Sequence, residues 1–271
     1  LEKVNIKISE RDIDYALCVA LLHDIGHGPF SHLFESALPN TINQKNHEQW
    51  TIDIITSPES VINRVLIENF DRHFPAVIAA LIKKENRIKS DGITIQAVKN
   101  INLLFIVSSL ISSQLDADRM DYLLRDAYFT GVSYGKFDLS RLISSLTLTV
   151  FENKYYVCVR EKYLPTIEEY LLARYHMHDG VYLHKFKCEM ELILKKILHR
   201  AHELYQMKNL AQKNLSEAIV RTFEGKELRL MDYIALDDSV ILSLVSLWKK
   251  EEDPILTALC STFLDRRKYR S

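Results

Sequence analysis

Between Leu21 and Glu35 the chain reads LLHDIGHGPFSHLFE, which sets three histidines and two carboxylates into an otherwise apolar segment. An imidazole and a carboxylate side by side at a helix end, as in His23-Asp24, can both ligate a divalent cation. Alone, such a dipeptide is usually a surface pair. Its context is richer. His23 and His27 stand four apart and share a face if the first helix persists to Gly26. His32 and Glu35 are three apart on the next helix, so the carboxylate can orient or charge the ring. His47 follows, beside Glu48 in NHEQ. A single histidine is ordinarily a satisfied core or surface residue; four with carboxylate neighbours in so short a span indicate a site.

Two further stripes carry chemistry. QLDADRMDYLLRD supplies Asp116, Asp118, Asp121 and Asp126, and Asp118, Tyr122 and Asp126 recur at i, i+4 and i+8 on one helix face. The plain alternative is a solvated acidic face neutralised by Arg119 and Arg125. In ARYHMHDGVYLHK the same spacing places Arg174, His178 and Tyr182, with Lys185 beyond them. A continuous α-helix would hold these four within an arc of roughly 80°. Such a face suits an anion such as a polyphosphate, for which arginine offers a bidentate fork; the alternative is a wet helix face with an amphipathic tyrosine.

The elements that must position these residues read as helices. Only 7 glycines and 6 prolines interrupt 271 residues. RDIDYALCVALLHD has helical periodicity, and IGHGPF breaks it, with Pro29 suited to the first turn of PFSHLFESAL. Asn46 is positioned to cap NHEQWTIDIIT, and Ser57-Pro58 repeats a cap-then-proline start. DGITIQAVKN opens with a turn and leads into a long apolar helix. DADRMDYLLRDAYFTG ends at Gly131, a C-terminal cap. LTLTVFENKYYVCVR is the one convincing hairpin. The class expected is mainly α, with one small β-hairpin, in two parts: residues 1–207 and a smaller helical subdomain over 208–271.

Bulk properties exclude some functions. With 35 basic and 36 acidic residues the formal charge is -1, so no nucleic-acid or membrane partner is expected from overall electrostatics. Four scattered cysteines form no metal-finger spacing and read as free thiols of a reducing compartment. With no signal-like segment and no apolar run of bilayer length, a cytoplasmic location is expected.

The order HD, HGPFSH, HE and DADRMDYLLRD resembles the HD-domain metal-dependent phosphohydrolases, and within them the deoxynucleoside triphosphate triphosphohydrolases, over roughly Asp14 to Lys185. The resemblance implies an HD-domain helical fold and hydrolysis of dNTPs to a deoxynucleoside and inorganic triphosphate. It implies His23, Asp24 and Asp118 as ligands of a divalent ion, whose identity among Mg, Mn, Fe, Zn, Co and Ni mixed N/O ligands do not fix. His27 would contact phosphates, and His32, supported by Glu35 and His47, would protonate the departing 5′ oxygen. Arg119 and Arg174 would hold phosphates, Tyr122 and Asp126 would read the sugar 3′-hydroxyl, and Tyr182 and His178 would line the sugar pocket. Arg141, Arg160, Lys162, His184 and Lys185 match positions that grip an effector nucleotide between subunits, which implies an allosteric homotetramer. The family places a further metal-ligating histidine upstream of the HD pair. None of the 22 residues before His23 is histidine, and the expectation is that an N-terminal segment precedes Leu1. Two rivals remain: an HD phosphohydrolase acting on a monophosphate or signalling nucleotide, and a non-catalytic nucleotide or single-stranded nucleic-acid binder with a vestigial site.

Overall fold

The structure is a computed structural model that describes residues 7–37, 45–84, 87–90, 93–96, 101–152, 154–210 and 215–267. Scarce glycine and proline leave helix as the dominant state. In chain order the elements begin with α1 (Glu10–Leu22), α2 (His32–Ala37), α3 (His47–Thr56), α4 (Val61–Asn69) and α5 (Phe74–Ile82). Strands β1 (Arg87–Ser90) and β2 (Ile93–Gln96) precede α6 (Ile101–Ile111), α7 (Ala117–Thr130) and α8 (Leu139–Ser145). Then come β3 (Leu146–Phe151), β4 (Lys154–Val159), α9 (Leu164–Met177) and α10 (Lys185–Gln206). The chain continues through α11 (Glu217–Phe223), α12 (Leu230–Ile234), α13 (Asp238–Trp248) and α14 (Pro254–Leu264).

The expected hairpin forms: β3 and β4 are antiparallel, with Leu146 opposite Val159 and Phe151 opposite Lys154. A second short ladder pairs Arg87 with Gln96 and Ser90 with Ile93. There ITIQ forms a strand before the apolar helix begins; the Asp91-Gly92 turn signal lies outside the described residues. Asn46 caps α3 in a reciprocal box with Gln49, as expected. Two helix starts differ from the sequence reading. Pro29 does not open α2, because Phe30 and Ser31 take positive φ (52° and 51°) and delay the helix to His32. Likewise Ser57–Ser60 forms a turn, and α4 begins at Val61.

The chain divides into two compact units, Leu1–His23 with Val61–Leu183, and Asp24–Ser60 with His184–Ser271. In the first, α5 (FPAVIAALI) is apolar all round and accordingly buried. The same unit has a core of Met120, Leu123 and Ala127 from α7, Leu142 from α8, and Tyr170, Ala173 and Met177 from α9. In the second, α10 carries a helical stripe of Ile193, Leu194, Ile197, Leu198, Ala201 and Leu204. That stripe packs with Phe34 and Ala37 of α2, Ile241, Leu244 and Val245 of α13, and Leu256 and Cys260 of α14. Each fully buried aliphatic side chain contributes about 1.5–3 kcal/mol, so these two cores hold the short helices that bear the polar residues. Cys18, Cys158, Cys188 and Cys260 are free thiols. Among the described residues no helix is long and apolar enough to cross a membrane.

Candidate functional site

In the first unit the polar constellation is anchored by a residue whose side chain is fully buried. Asp116 caps α7, accepting from the Arg119 backbone N–H at 2.8 Å and from that of Ser113 at 3.0 Å. It also pairs with the Arg119 guanidinium, which donates to the Ser113 carbonyl at 2.7 Å. The Arg119 Nε is buried without a hydrogen-bond partner. Gly131, at φ 74°, ends α7 in the left-handed conformation expected of it. At 100° per residue, the core face of Met120, Leu123 and Ala127 leaves Asp118, Tyr122 and Asp126 together on roughly the opposite side. The stripe read from the sequence is therefore a real face of α7.

The Arg174–Tyr182 stripe needs correction. α9 stops at Met177, and His178–Tyr182 forms a π-helical turn in which Leu183 N–H donates to the His178 carbonyl at 2.8 Å. One continuous α-helical arc therefore does not exist, and Lys185 begins a separate helix. The wide turn fits here because residue 180 is glycine: a Cβ there would lie 2.3 Å from the Tyr134 hydroxyl. The π turn, a feature frequent at functional sites, still delivers Tyr182 to α7. Its hydroxyl donates to Asp126 Oδ2 at 2.8 Å, and its ring meets Tyr122 edge-on at 5.8 Å and His178 at 5.2 Å. Burial and then the Asp126 bond push the Tyr182 hydroxyl pKa up, and burial does the same for Tyr122, so both remain neutral donors. Arg174 donates to Gln114 Oε1 at 2.9 Å. Burial lowers the His178 pKa, and the Arg174 and Arg119 charges lower it further. Gln114 and Asp116, which hold these two arginines, were not singled out as site residues by their spacing.

His23 ends α1 as its C-cap, its Nδ1 3.0 Å from the Ala20 carbonyl. The helix thus stops before Gly26, and the shared-face relation with His27 does not arise. Instead His23 and Asp118 offer ligand atoms within 4.8 Å of each other, and Asp24 follows His23 in the chain. An imidazole and a carboxylate so placed are donors that fit a divalent ion.

In the second unit His27, His32, Glu35 and His47 come together, their ligand atoms all within 4.8 Å. The cause is a close backbone approach. A Cβ on Gly26 would fall 2.2 Å from both the His47 carbonyl and the Thr51 nitrogen, so only glycine lets this turn lie against α3. Gly26 N–H donates to Thr51 Oγ1 at 2.9 Å, and its carbonyl accepts from the Tyr233 hydroxyl at 2.6 Å. Tyr233 stacks on Trp50 with ring centroids 4.0 Å apart. Held this way, His27 stacks on His47 at 4.1 Å, and His32 stands edge-on to both, at 4.8 and 5.2 Å. Glu35 Oε1 accepts from the His47 backbone N–H and faces its Nδ1, both at 3.1 Å. The expected His32–Glu35 pair is present but looser, at 3.6 Å. His27 Nδ1 is buried without a hydrogen-bond partner, and burial, then the neighbouring His47, lowers its pKa. Thr51 and Tyr233 escaped the sequence reading, since neither lies near the HD motif in the chain.

Among the residues expected to bind an effector, Arg141, Arg160 and Lys162 gather round Tyr163, 6.0, 5.4 and 5.0 Å from its ring centroid. Arg141 Nε donates to Thr166 Oγ1 at 3.1 Å, and Arg160 donates to the Ser144 carbonyl. Asp138, Ser140, Arg141, Ser144, Lys162 and Tyr163 line a cavity of about 530 Å³. Tyr163 was missed, although an aromatic directly after VREK is a usable signal. His184 and Lys185 belong to the second unit, where His184 caps α10, its Nδ1 accepting from Phe186 N–H at 3.3 Å.

Residues 1–125 match the HD domain, and the fold is the mainly helical HD fold. The uncharacterized protein YwfO of Bacillus subtilis is 39% identical over 97% of this chain and 53% of its own length. The Dictyostelium discoideum homolog of deoxynucleoside triphosphate triphosphohydrolase SAMHD1 is 26% identical over 81% of this chain and 40% of its own. A crystal structure of a phosphohydrolase from Bacteroides thetaiotaomicron superposes with a TM-score of 0.75 at 27% identity, covering 97% of this chain and 59% of that one. The chain spans about half the length of the curated relatives it matches.

Proposed function

We propose that this chain is a metal-dependent HD phosphohydrolase that splits dNTPs into a deoxynucleoside and inorganic triphosphate. The observation that carries the substrate is the group on α7 and the π turn: Asp126, bound by Tyr182 and flanked by Tyr122, with Arg119 and Arg174 acting electrostatically on Tyr122 and on His178. A site that cut only a simple phosphate ester would have no use for a tyrosine-buttressed carboxylate beside two guanidinium groups. His23, Asp24 and Asp118 would hold the divalent ion, which when bound would supply an activated water and Lewis-acid polarisation of the phosphate. Arg119, Arg174 and His27 bind the phosphate oxygens and offset the charge that grows in the transition state. Tyr122 and Asp126 take the 3′-hydroxyl, and Tyr182, tied to Asp126, stands where a 2′-hydroxyl would intrude. His178 lines the same pocket. His32 protonates the departing 5′ oxygen, and Glu35, 3.6 Å from its Nδ1 and also holding His47, orients the ring.

The basic cavity round Tyr163 suits a second nucleotide, with Arg141, Arg160 and Lys162 on its phosphates; with His184 and Lys185 it belongs to a nucleotide-regulated homotetramer. Incubation with each dNTP and Mg²⁺ or Mn²⁺, with and without a second nucleotide, tests the reading by chromatography. Deoxynucleoside plus inorganic triphosphate is the expected outcome. Release of pyrophosphate or monophosphate reassigns the chain to another nucleotide substrate, and absence of turnover by a metal-loaded protein removes the enzymatic reading.

A further inference from the structure

The four side chains of the second-unit cluster have the composition of a metal site in their own right, and none of them is a ligand of the HD motif. We propose that His27, His32, Glu35 and His47 bind a zinc-class ion at a second site, with ligands different from the His23–Asp24–Asp118 set although His27 Nε2 lies 3.9 Å from Asp24 Oδ1. Three imidazoles and one carboxylate are a donor set that favours zinc and its first-row neighbours over magnesium. Ligand atoms on a tetrahedral zinc at about 2.0 Å stand roughly 3.3 Å from one another. In this structure the four ligand atoms already lie within 4.8 Å of one another, so contraction by at most about 1.5 Å completes the site.

The parts that must move and the parts that must stay are well divided. The side chains of His27, His47 and Glu35 are 20–22% exposed and fixed by the Gly26 turn and the start of α3, whereas that of His32 is 74% exposed and can swing inward. Glu35 can keep one oxygen on His47 Nδ1, directing the other ring nitrogen of His47 toward the ion, and present its second oxygen as a ligand. His27 Nδ1, buried with no partner, gives that ring an unmet polar requirement.

Occupancy would also regulate, a consequence that rests on the proton-transfer role proposed for His32: an imidazole committed to zinc cannot protonate a leaving group. Zinc at this site would therefore inhibit turnover supported by magnesium or manganese, and a chelator would restore it.

The test uses the full chain stripped of metal, with Co²⁺ as a visible-absorption probe and Zn²⁺ as competitor. In the D24A/D118A background, which removes the HD carboxylates, one equivalent of Co²⁺ should bind with the intense visible band of a tetrahedral site, be displaced by Zn²⁺, and resist a large excess of Mg²⁺. Adding His32→Ala, at an exposed position, or Glu35→Gln should weaken that binding by about 100-fold or more, with the circular dichroism spectrum unchanged. No Co²⁺ binding in the D24A/D118A background, equal competition by Mg²⁺, or an isotherm indifferent to both cluster substitutions overturns the proposal. Zinc that binds at the cluster without affecting turnover leaves the second site standing and refutes the role of His32 in proton transfer.

Discussion

The α7–π-turn group and the histidine cluster hold their polar residues in opposite ways. On α7 and the π turn nearly every group is already committed: Asp116 to Arg119 and two backbone amides, Tyr182 to Asp126, Arg174 to Gln114. The supporting helices are 14 residues long and rest on a shared core. In the cluster, the rings stand on a turn and on helices of 6 and 10 residues, His27 Nδ1 has no partner, and His32 is mostly in solvent. Fixed partners suit recognition, where the geometry must exist before the ligand arrives. Proton transfer and metal exchange need groups whose bonding can change. The first region thus reads as a binder and the second as a reactor.

That contrast predicts different kinetic signatures. His32→Ala should lower kcat by about 10²–10⁴-fold, the usual contribution of a general acid, while KM and Mn²⁺ binding stay within about threefold of wild type. Steady-state kinetics with calorimetric Mn²⁺ titration checks both. A loss expressed mainly in KM would make the cluster a binding region and erase the distinction.

The glycines sharpen it on the stability side. Gly26→Ala puts a methyl group 2.2 Å from two backbone atoms of α3, so the turn must move. A cost of at least about 1–3 kcal/mol is expected, with a fall of several degrees in Tm and loss of the His27–His47 stack. Gly131→Ala meets no atom within 4 Å and suffers only the strain of φ 74°, about 1 kcal/mol. Thermal melts of the two variants that come out equal would mean that close approach is not what holds the cluster.

Next in size is Tyr182→Phe, which keeps the ring and removes one 2.8 Å hydrogen bond. Its expected loss is about 0.5–1.5 kcal/mol, seen as a rise of roughly two- to tenfold in KM at similar kcat, together with weaker discrimination against ribonucleotides. A drop in kcat alone would place Tyr182 among the reacting groups.

Much of the binder was legible in the sequence. The period of 3.6 put Asp118, Tyr122 and Asp126 on one face, and Gly131 marks the end of α7. The reactor was legible as a list of residues but not as a shape. Extending α1 to Gly26 would have paired His27 with His23; the chain instead stops at His23, and a glycine chosen for close approach rather than for φ carries His27 to α3. Nothing local encodes that approach, because its partners Thr51 and Tyr233 lie 25 and 207 positions away. The π turn was hidden for a related reason: a single widened turn at Gly180 rotates all that follows, and the space that permits it is set by Tyr134. Tyr163 was overlooked because its role comes from three cations converging on it, only one of which, Lys162, is its neighbour in the chain.

The smallest effect expected is a pH dependence in the binder. Burial and the charges of Arg174 and Arg119 hold the His178 pKa below the ordinary histidine value, so in the free protein it stays neutral where an exposed histidine is partly charged. A polyphosphate bound among those guanidinium groups cancels the repulsion and raises the His178 pKa toward or past normal. Binding then takes up a proton, and by linkage the affinity rises as pH falls through the window between the depressed pKa and the raised one. The phosphate's own titration acts the other way, so the quantity to measure is the ratio of affinities for tripolyphosphate between wild type and His178→Gln. From pH 7.5 to 6 that ratio should shift by about two- to fivefold in favour of wild type, within the tenfold-per-unit limit of a single proton. The stability of the unliganded protein moves in the opposite sense: the unfolded chain, with His178 at its ordinary pKa, binds more protons, so wild type loses stability as pH falls through that value and His178→Gln loses less. An affinity ratio flat across the range would mean that no anion enters beside His178, and that the arginines on α7 and α9 serve only to hold Asp116 and Gln114.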